Sequence, residues 1–252
     1  MTDSATMLRR NLRHALRYPS MTISTIAGPV VVLLLFNYAF GGALGPGIGE
    51  GHHYIDYVAP GLILMAAMAG STATAVAVCS DMTEGIINRF RTMSITRTSI
   101  LTGHVAGSMI QTIVSVAFVI AIAVAIGFRP SADALDWAGA FGLLALVTFA
   151  LTWLSTAFGL VTKTVETASN APLPLQFLPF LGSAIVPTDT MPAGMRAFAE
   201  NQPFTPIIET LRGLLMGTPV GHTAVIAVNW CVGLALAGYL WARAAFNRDP
   251  LH

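Results

Sequence analysis

Apolar residues in this chain gather into long blocks separated by short polar connections. Six blocks approach the ~20 residues that an α-helix needs to cross the hydrocarbon of a bilayer. They lie at about 22–40, 58–80, 102–127, 137–161, 171–187 and 222–243, the fifth being the shortest. Barrel strands are roughly 9–11 residues long and alternate apolar with polar positions, and these blocks do neither. The predicted fold is all-α and integral to a membrane, a single domain over residues 1–252 with six transmembrane helices.

Three shorter stretches carry a helical rather than a continuous apolar pattern. In "MLRRNLRHALRYP", Leu8, Leu12 and Leu16 recur every four positions, with Arg10, Arg13, His14 and Arg17 on another face. That spacing predicts a basic amphipathic helix within residues 1–20, ended near Pro19 and lying against anionic lipid. Between spans five and six, residues 188–221 contain "TPIIETLRGLLMG". Thr205 offers an N-cap and Pro206 a first helical residue. Ile207, Ile208, Leu211, Leu214 and Leu215 then share a face, with Glu209 and Arg212 opposite. A short external helix dipping into the outer leaflet is expected. The third stretch, "EGIINRFRTMSITR" at 84–97, lies in the connection 81–101.

Composition sharpens this picture. Only 10% of the 252 residues are charged, against about a quarter in soluble domains, and mean hydropathy is +0.69. The net charge of +1 matters less than its distribution. With six spans, ten of the thirteen basic residues fall on the side of the N-terminus and three on the other. Basic residues gather on the cytoplasmic side, so both termini and the 84–97 stretch are expected there. The first run is too long for a signal-peptide core and follows a patterned leader, which favours a retained span. Cys79 and Cys231 sit in or beside apolar runs without metal or redox spacing, and read as small packed hydrophobes.

Several chemistries are missing. No charge falls near the middle of a span, where proton and ion pathways keep theirs. His104 and Asp81 lie only at the ends of runs, as interfacial or packed residues. The single lysine, Lys163 in "GLVTKT", lacks the glycine of a phosphate loop and reads with Glu166 as a surface helical pair. There is no HExxH and no GxSxG. His52, His53 and Asp56 in "HHYIDY" are metal-ligand types, but adjacent histidines chelate one ion poorly. No catalytic, cofactor or metal residue is assigned, and no nucleic-acid site. Small residues, Ala66, Gly70 and Thr74 or Gly103 and Gly107, read as close helix contacts.

The 84–97 stretch then needs an account. Three arginines in mid-bilayer would cost ~2.5–3.5 kcal/mol each, so the stretch lies outside the hydrocarbon. A topology signal needs no apolar partners, yet Ile86, Ile87 and Phe90 share a helical face beside Glu84, Asn88, Arg89 and Arg91. Apolar knobs with charges make a docking surface for a cytoplasmic partner.

Two segments carry a family resemblance: "EGIINRFRTMSITRTSILTGHVAG" and "LPFLGSAIVPTDTMPAGMRAFAENQPFTPIIETLRGLLMG". Together with the six-span layout they resemble the membrane permease subunit of type-2 ABC exporters, especially the daunorubicin-resistance-like actinobacterial branch. Ser94 stands where that branch commonly has proline, Gly182 and Ser183 replace a Ser-Asn pair, and Gln202 interrupts an Asn-Pro turn. The resemblance implies a non-catalytic, multi-pass subunit of the plasma membrane in multidrug efflux and antibiotic resistance. It implies a separate cytoplasmic ATP-binding subunit holding ATP and Mg, and a second permease chain, identical or different. It places the ATPase-coupling helix at Glu84, Gly85, Ile86, Ile87, Asn88, Arg89, Phe90 and Arg91, with the interfacial helix of Arg10, Arg13 and Arg17 nearby. The cargo class implied is a hydrophobic or amphipathic drug, lipid, polyketide or glycan. The rival readings are an ATP-independent channel or carrier, and a membrane enzyme acting on lipids.

Overall fold

A computed structural model describes residues 19–44, 53–84 and 97–247. Among them the regular structure is entirely helical. α1 (Pro19–Leu34) continues through a π-helical turn at Leu35–Phe40 and a last turn at Gly41–Leu44. α2 spans Tyr54–Thr83, α3 Arg97–Ala125 and α4 Ala134–Val161. α5 (Val165–Asn170) and α6 (Leu173–Phe177) are short, as are α7 (Ala193–Asn201) and α8 (Phe204–Leu215). α9 (Gly221–Asn247) closes the described chain.

Five helical stretches among the described residues are long and apolar enough to cross a membrane: Ile26–Ala43, Tyr54–Thr83, Thr102–Ala125, Ala134–Val161 and Gly221–Asn247. They correspond to the first four apolar runs and the sixth. Several helices outrun their apolar blocks, and for α4 local chemistry sets the early start. α4 begins at Ala134 because Asp133 accepts from the Asp136 amide at 2.8 Å while Asp136 accepts from the Asp133 amide at 3.3 Å. This reciprocal capping box satisfies two of the amides that a helix start leaves unpaired.

The fifth run is not one continuous helix. Pro172, Pro174, Pro179 and Pro187 fall within it, and each removes an amide donor that a continuous helix would use. The run folds as α6, a 3-10 turn at Leu178–Leu181 and irregular backbone over 182–187. Together with the connection that precedes it from Thr162, it nevertheless tracks α2 from one end to the other. Cys79 Sγ donates to the Thr162 carbonyl at 3.6 Å. Gln176 Nε2 donates to Thr72 Oγ1. Ala184 packs against Gly61, where an added Cβ would come within 2.8 Å of the Ala184 Cβ. Finally, the Tyr54 hydroxyl donates to the Ile185 carbonyl at 3.3 Å.

α2 and α4 are the most buried spans, and the others pack around them. The α4–α9 contact is close enough that a Cβ on Gly238 would stand 2.7 Å from the Leu154 nitrogen. Small residues permit such backbone approach in lipid. Two hydroxyls buried in α4 bond back to their own helix: Thr152 to the Thr148 carbonyl at 2.6 Å and Thr156 to that of Thr152 at 2.8 Å. This satisfies them without a partner helix. Cys79 and Cys231 are free and buried.

Two apolar cores result. The larger joins the Tyr54 end of α2 to α4 and α8 through Leu62, Leu144, Phe204 and Ile208. The smaller joins Val105, Trp153, Ala157, Ala242 and Phe246, with Met82 packed against it, near the Thr83 end of α2.

Candidate functional site

Irregular backbone beside a buried span poses a problem, because an unpaired polar group in lipid costs several kcal/mol. Side chains from other elements supply donors to three carbonyls around the fifth run. Gln202 Nε2 donates to the Leu178 carbonyl at 3.1 Å and to Thr205 Oγ1 at 3.0 Å. Arg212 Nη2 donates to the Ser183 carbonyl at 2.6 Å. The Tyr54 hydroxyl serves Ile185, as above.

Arg212 is the centre of this arrangement. Its Nε donates to the Tyr57 carbonyl at 3.1 Å, and its guanidinium lies 3.8 Å from the centroid of the Tyr57 ring. Desolvation pulls its pKa below the usual value, while Tyr57 and Glu209 act in the opposite direction. A planar fork can bind two carbonyls and stack on a ring together, which a lysine ammonium cannot.

The connection between α3 and α4 joins the same rim. The Arg129 amide donates to Asp56 Oδ1 at 3.1 Å. Ser131 donates through its amide to the Leu215 carbonyl at 3.1 Å and through Oγ to that of Met216 at 2.6 Å. The rim is thus a polar clamp holding α2, the fifth run, the α3–α4 turn and α8 in register.

These contacts correct four expectations. α8 starts at Phe204 with Pro203 as N-cap, so Thr205 is not the cap; its buried hydroxyl accepts from Gln202 instead. Ile207, Ile208, Leu211 and Leu215 are fully buried in the larger core, so this apolar face meets protein rather than the outer leaflet. Arg212 turns inward from the polar side assigned to it, while Glu209 stays exposed. Lys163 sits in the bend before α5, so it forms no helical pair with Glu166. In "HHYIDY" the aspartate is engaged by the Arg129 amide and His53 is exposed at the α2 N-cap, while His52 lies outside the described residues.

At the other end of the bundle, His104 Nε2 and Asp81 Oδ2 are 3.0 Å apart, joining the end of α2 to the start of α3. Glu84 is exposed at the α2 C-cap, where its carboxylate accepts from Ser80 Oγ at 3.0 Å. Gly85, Ile86, Ile87, Asn88, Arg89, Phe90 and Arg91 lie outside the described residues, as do Arg10, Arg13 and Arg17. Sequence reasoning missed Tyr54, Tyr57 and the inward role of Gln202. The available signal was the four prolines in the fifth run, which require polar side chains nearby to satisfy freed backbone.

The chain matches a known family model, described as ABC-2 type transporter, over residues 3–216. The chain belongs to the ABC-2 type transporter family. The permease is 28% identical over 237 residues to the daunorubicin resistance ABC transporter permease protein DrrB1 of Streptomyces coeruleorubidus, covering 94% of this chain and 80% of the relative. It is 21% identical over 230 residues to the probable doxorubicin resistance ABC transporter permease protein DrrC of Mycobacterium tuberculosis (strain ATCC 25618 / H37Rv), covering 91% of this chain and 83% of the relative. Members of this family are transport subunits, and ATP hydrolysis occurs in a separate ATP-binding subunit. The permease is accordingly a multi-pass protein of the plasma membrane.

Proposed function

We propose that this chain is the membrane half of an ATP-driven exporter of hydrophobic or amphipathic compounds, with six crossings and both termini in the cytoplasm. Two permease chains, identical or different, would enclose the path, and a cytoplasmic ATP-binding partner would hold ATP and Mg. The observation that carries this reading is the course of residues 162–187 along the length of α2. Five long helices with one broken crossing leave Glu84, Val161 and Asn247 at the end opposite the Tyr54–Arg212 rim. In the six-span reading ten of thirteen basic residues are assigned to that same side, which supports a cytoplasmic assignment. The absence of charge in the middle of the spans suits an apolar cargo better than an ion. The relatives' names point to drugs such as daunorubicin and doxorubicin.

In this reading Glu84 to Arg91 form the coupling surface for the ATPase, and Arg10, Arg13 and Arg17 hold the N-terminal helix on anionic lipid. The test is co-expression with a candidate ATP-binding partner, followed by reconstitution and ATP-dependent daunorubicin uptake into inside-out vesicles. Stable complex formation and uptake are expected. A pair that neither associates nor transports any tested amphipathic compound overturns the proposal.

A further inference from the structure

We propose that Asp81 and His104 are positioning residues for ATP coupling, a latch that makes the ends of α2 and α3 move as one body. The inference rests on the exporter reading above and adds two residues to it. Residues 85–96 join these helices, so a partner pushing there displaces both ends. Asp81 lies in the last turn of α2, and His104 is about two turns into α3. Their side chains meet at 3.0 Å and are mostly buried, His104 at 9% and Asp81 at 15% exposure.

The surroundings sharpen the role. Met82 and Val105, the residues that follow the pair on each helix, belong to the smaller core with Trp153, Ala157, Ala242 and Phe246. The latch therefore sits at the edge of an apolar cluster that also includes the ends of α4 and α9. A polar interaction is stronger in such low-dielectric surroundings, so replacing either partner removes a substantial tie between the two helices. A buried polar pair stabilises a fold little better than well-packed apolar residues would, and its best-attested use is to fix register. The contrast within the chain is Arg196 with Glu200, an exposed pair inside one helix that ties no two elements together.

With the pair intact, a thrust on the loop passes to both spans. With it broken, the loop can shift α2 and α3 separately, and ATP turnover continues without equivalent transport.

The experiment uses the full chain with its ATP-binding partner in proteoliposomes, measuring daunorubicin transported per ATP hydrolysed. Asp81→Asn and His104→Gln are expected to hydrolyse ATP at near wild-type rates while transport per ATP falls roughly tenfold, within the range for mutations along a coupling route. The swapped pair, Asp81→His with His104→Asp, should restore most of the ratio. Unchanged ratios in both single variants, with complexes intact by gel filtration, overturn the latch and leave the exporter reading standing. Failure of the swap to restore the ratio overturns it as well. Should the single variants not assemble, Asp81→Glu keeps the charge but displaces the carboxylate, and an unchanged ratio there overturns the latch. A wild-type complex with no ATP-driven transport overturns the exporter reading first and the latch with it.

Discussion

Arg212 donates through Nε to the Tyr57 carbonyl while its guanidinium lies 3.8 Å over the Tyr57 ring. One side chain thereby joins α8 to α2, and through Ser183 to the broken fifth run. Arg212→Ala should remove two charge-assisted bonds and the ring contact, costing about 2–4 kcal/mol of stability. Arg212→Lys should recover less than half of that, because an ammonium cannot span both carbonyls while stacked on the ring. Thermal unfolding in detergent, followed by loss of monodisperse protein, measures both.

Gly182 and Gln202 are both departures from the branch pattern, and they are complementary in space. A Cβ on Gly182 would overlap the Gln202 amide and approach Thr205 Oγ1 to 2.6 Å. Gly182→Ala should cost about 1–3 kcal/mol from overpacking. Gln202→Ala opens that space but loses the bond to Leu178, so the double variant should be less destabilised than the sum of the two. A double-mutant cycle on unfolding midpoints tests the coupling; strict additivity would contradict the geometry.

Asp56 accepts the Arg129 amide and is itself buried. Asp56→Ala should cost about 1–3 kcal/mol by leaving that amide unpaired, whereas Asp56→Asn retains an acceptor oxygen and should cost less. Limited proteolysis within 126–133 provides a local readout, with faster cleavage expected in the alanine variant.

Gly238 lets α9 meet the backbone of α4 near Leu154. Gly238→Val should force the helices apart and destabilise the chain by several kcal/mol, more than the ~1–3 kcal/mol usual for core overpacking, because backbone cannot rotate away. The expected result is low membrane yield and aggregation on extraction, quantified by fluorescence-detected gel filtration.

The coupling surface proposed at Glu84 to Arg91 predicts a different phenotype. Arg89→Glu combined with Phe90→Ala should leave folding and membrane insertion unchanged and abolish association with the ATP-binding partner. Pull-down and ATP-dependent uptake measure this, and wild-type behaviour in both would remove these residues from the coupling role.

The helical class and five of the six apolar runs were legible because crossing a membrane demands long apolar segments with internally satisfied backbone. Boundaries were less legible, since the Asp133–Asp136 capping box and Pro203 act through local bonding rather than hydropathy. The fifth run was misleading as a plain block: its mean character is apolar, while Pro172, Pro174 and Pro179 govern its backbone. The apolar face of α8 was visible, but periodicity alone does not say whether lipid or protein covers it.

By itself the sequence determined the apolar surroundings of this protein and its helical class. These follow from composition and spacing, which act locally along the chain. Only the tertiary structure decided that Arg212 faces Tyr57 and Ser183, that Gln202 fills the space beside Gly182, and that Asp81 meets His104. Those pairings join residues 20 to 155 positions apart, and which groups meet in a low-dielectric bundle depends on how the helices pack.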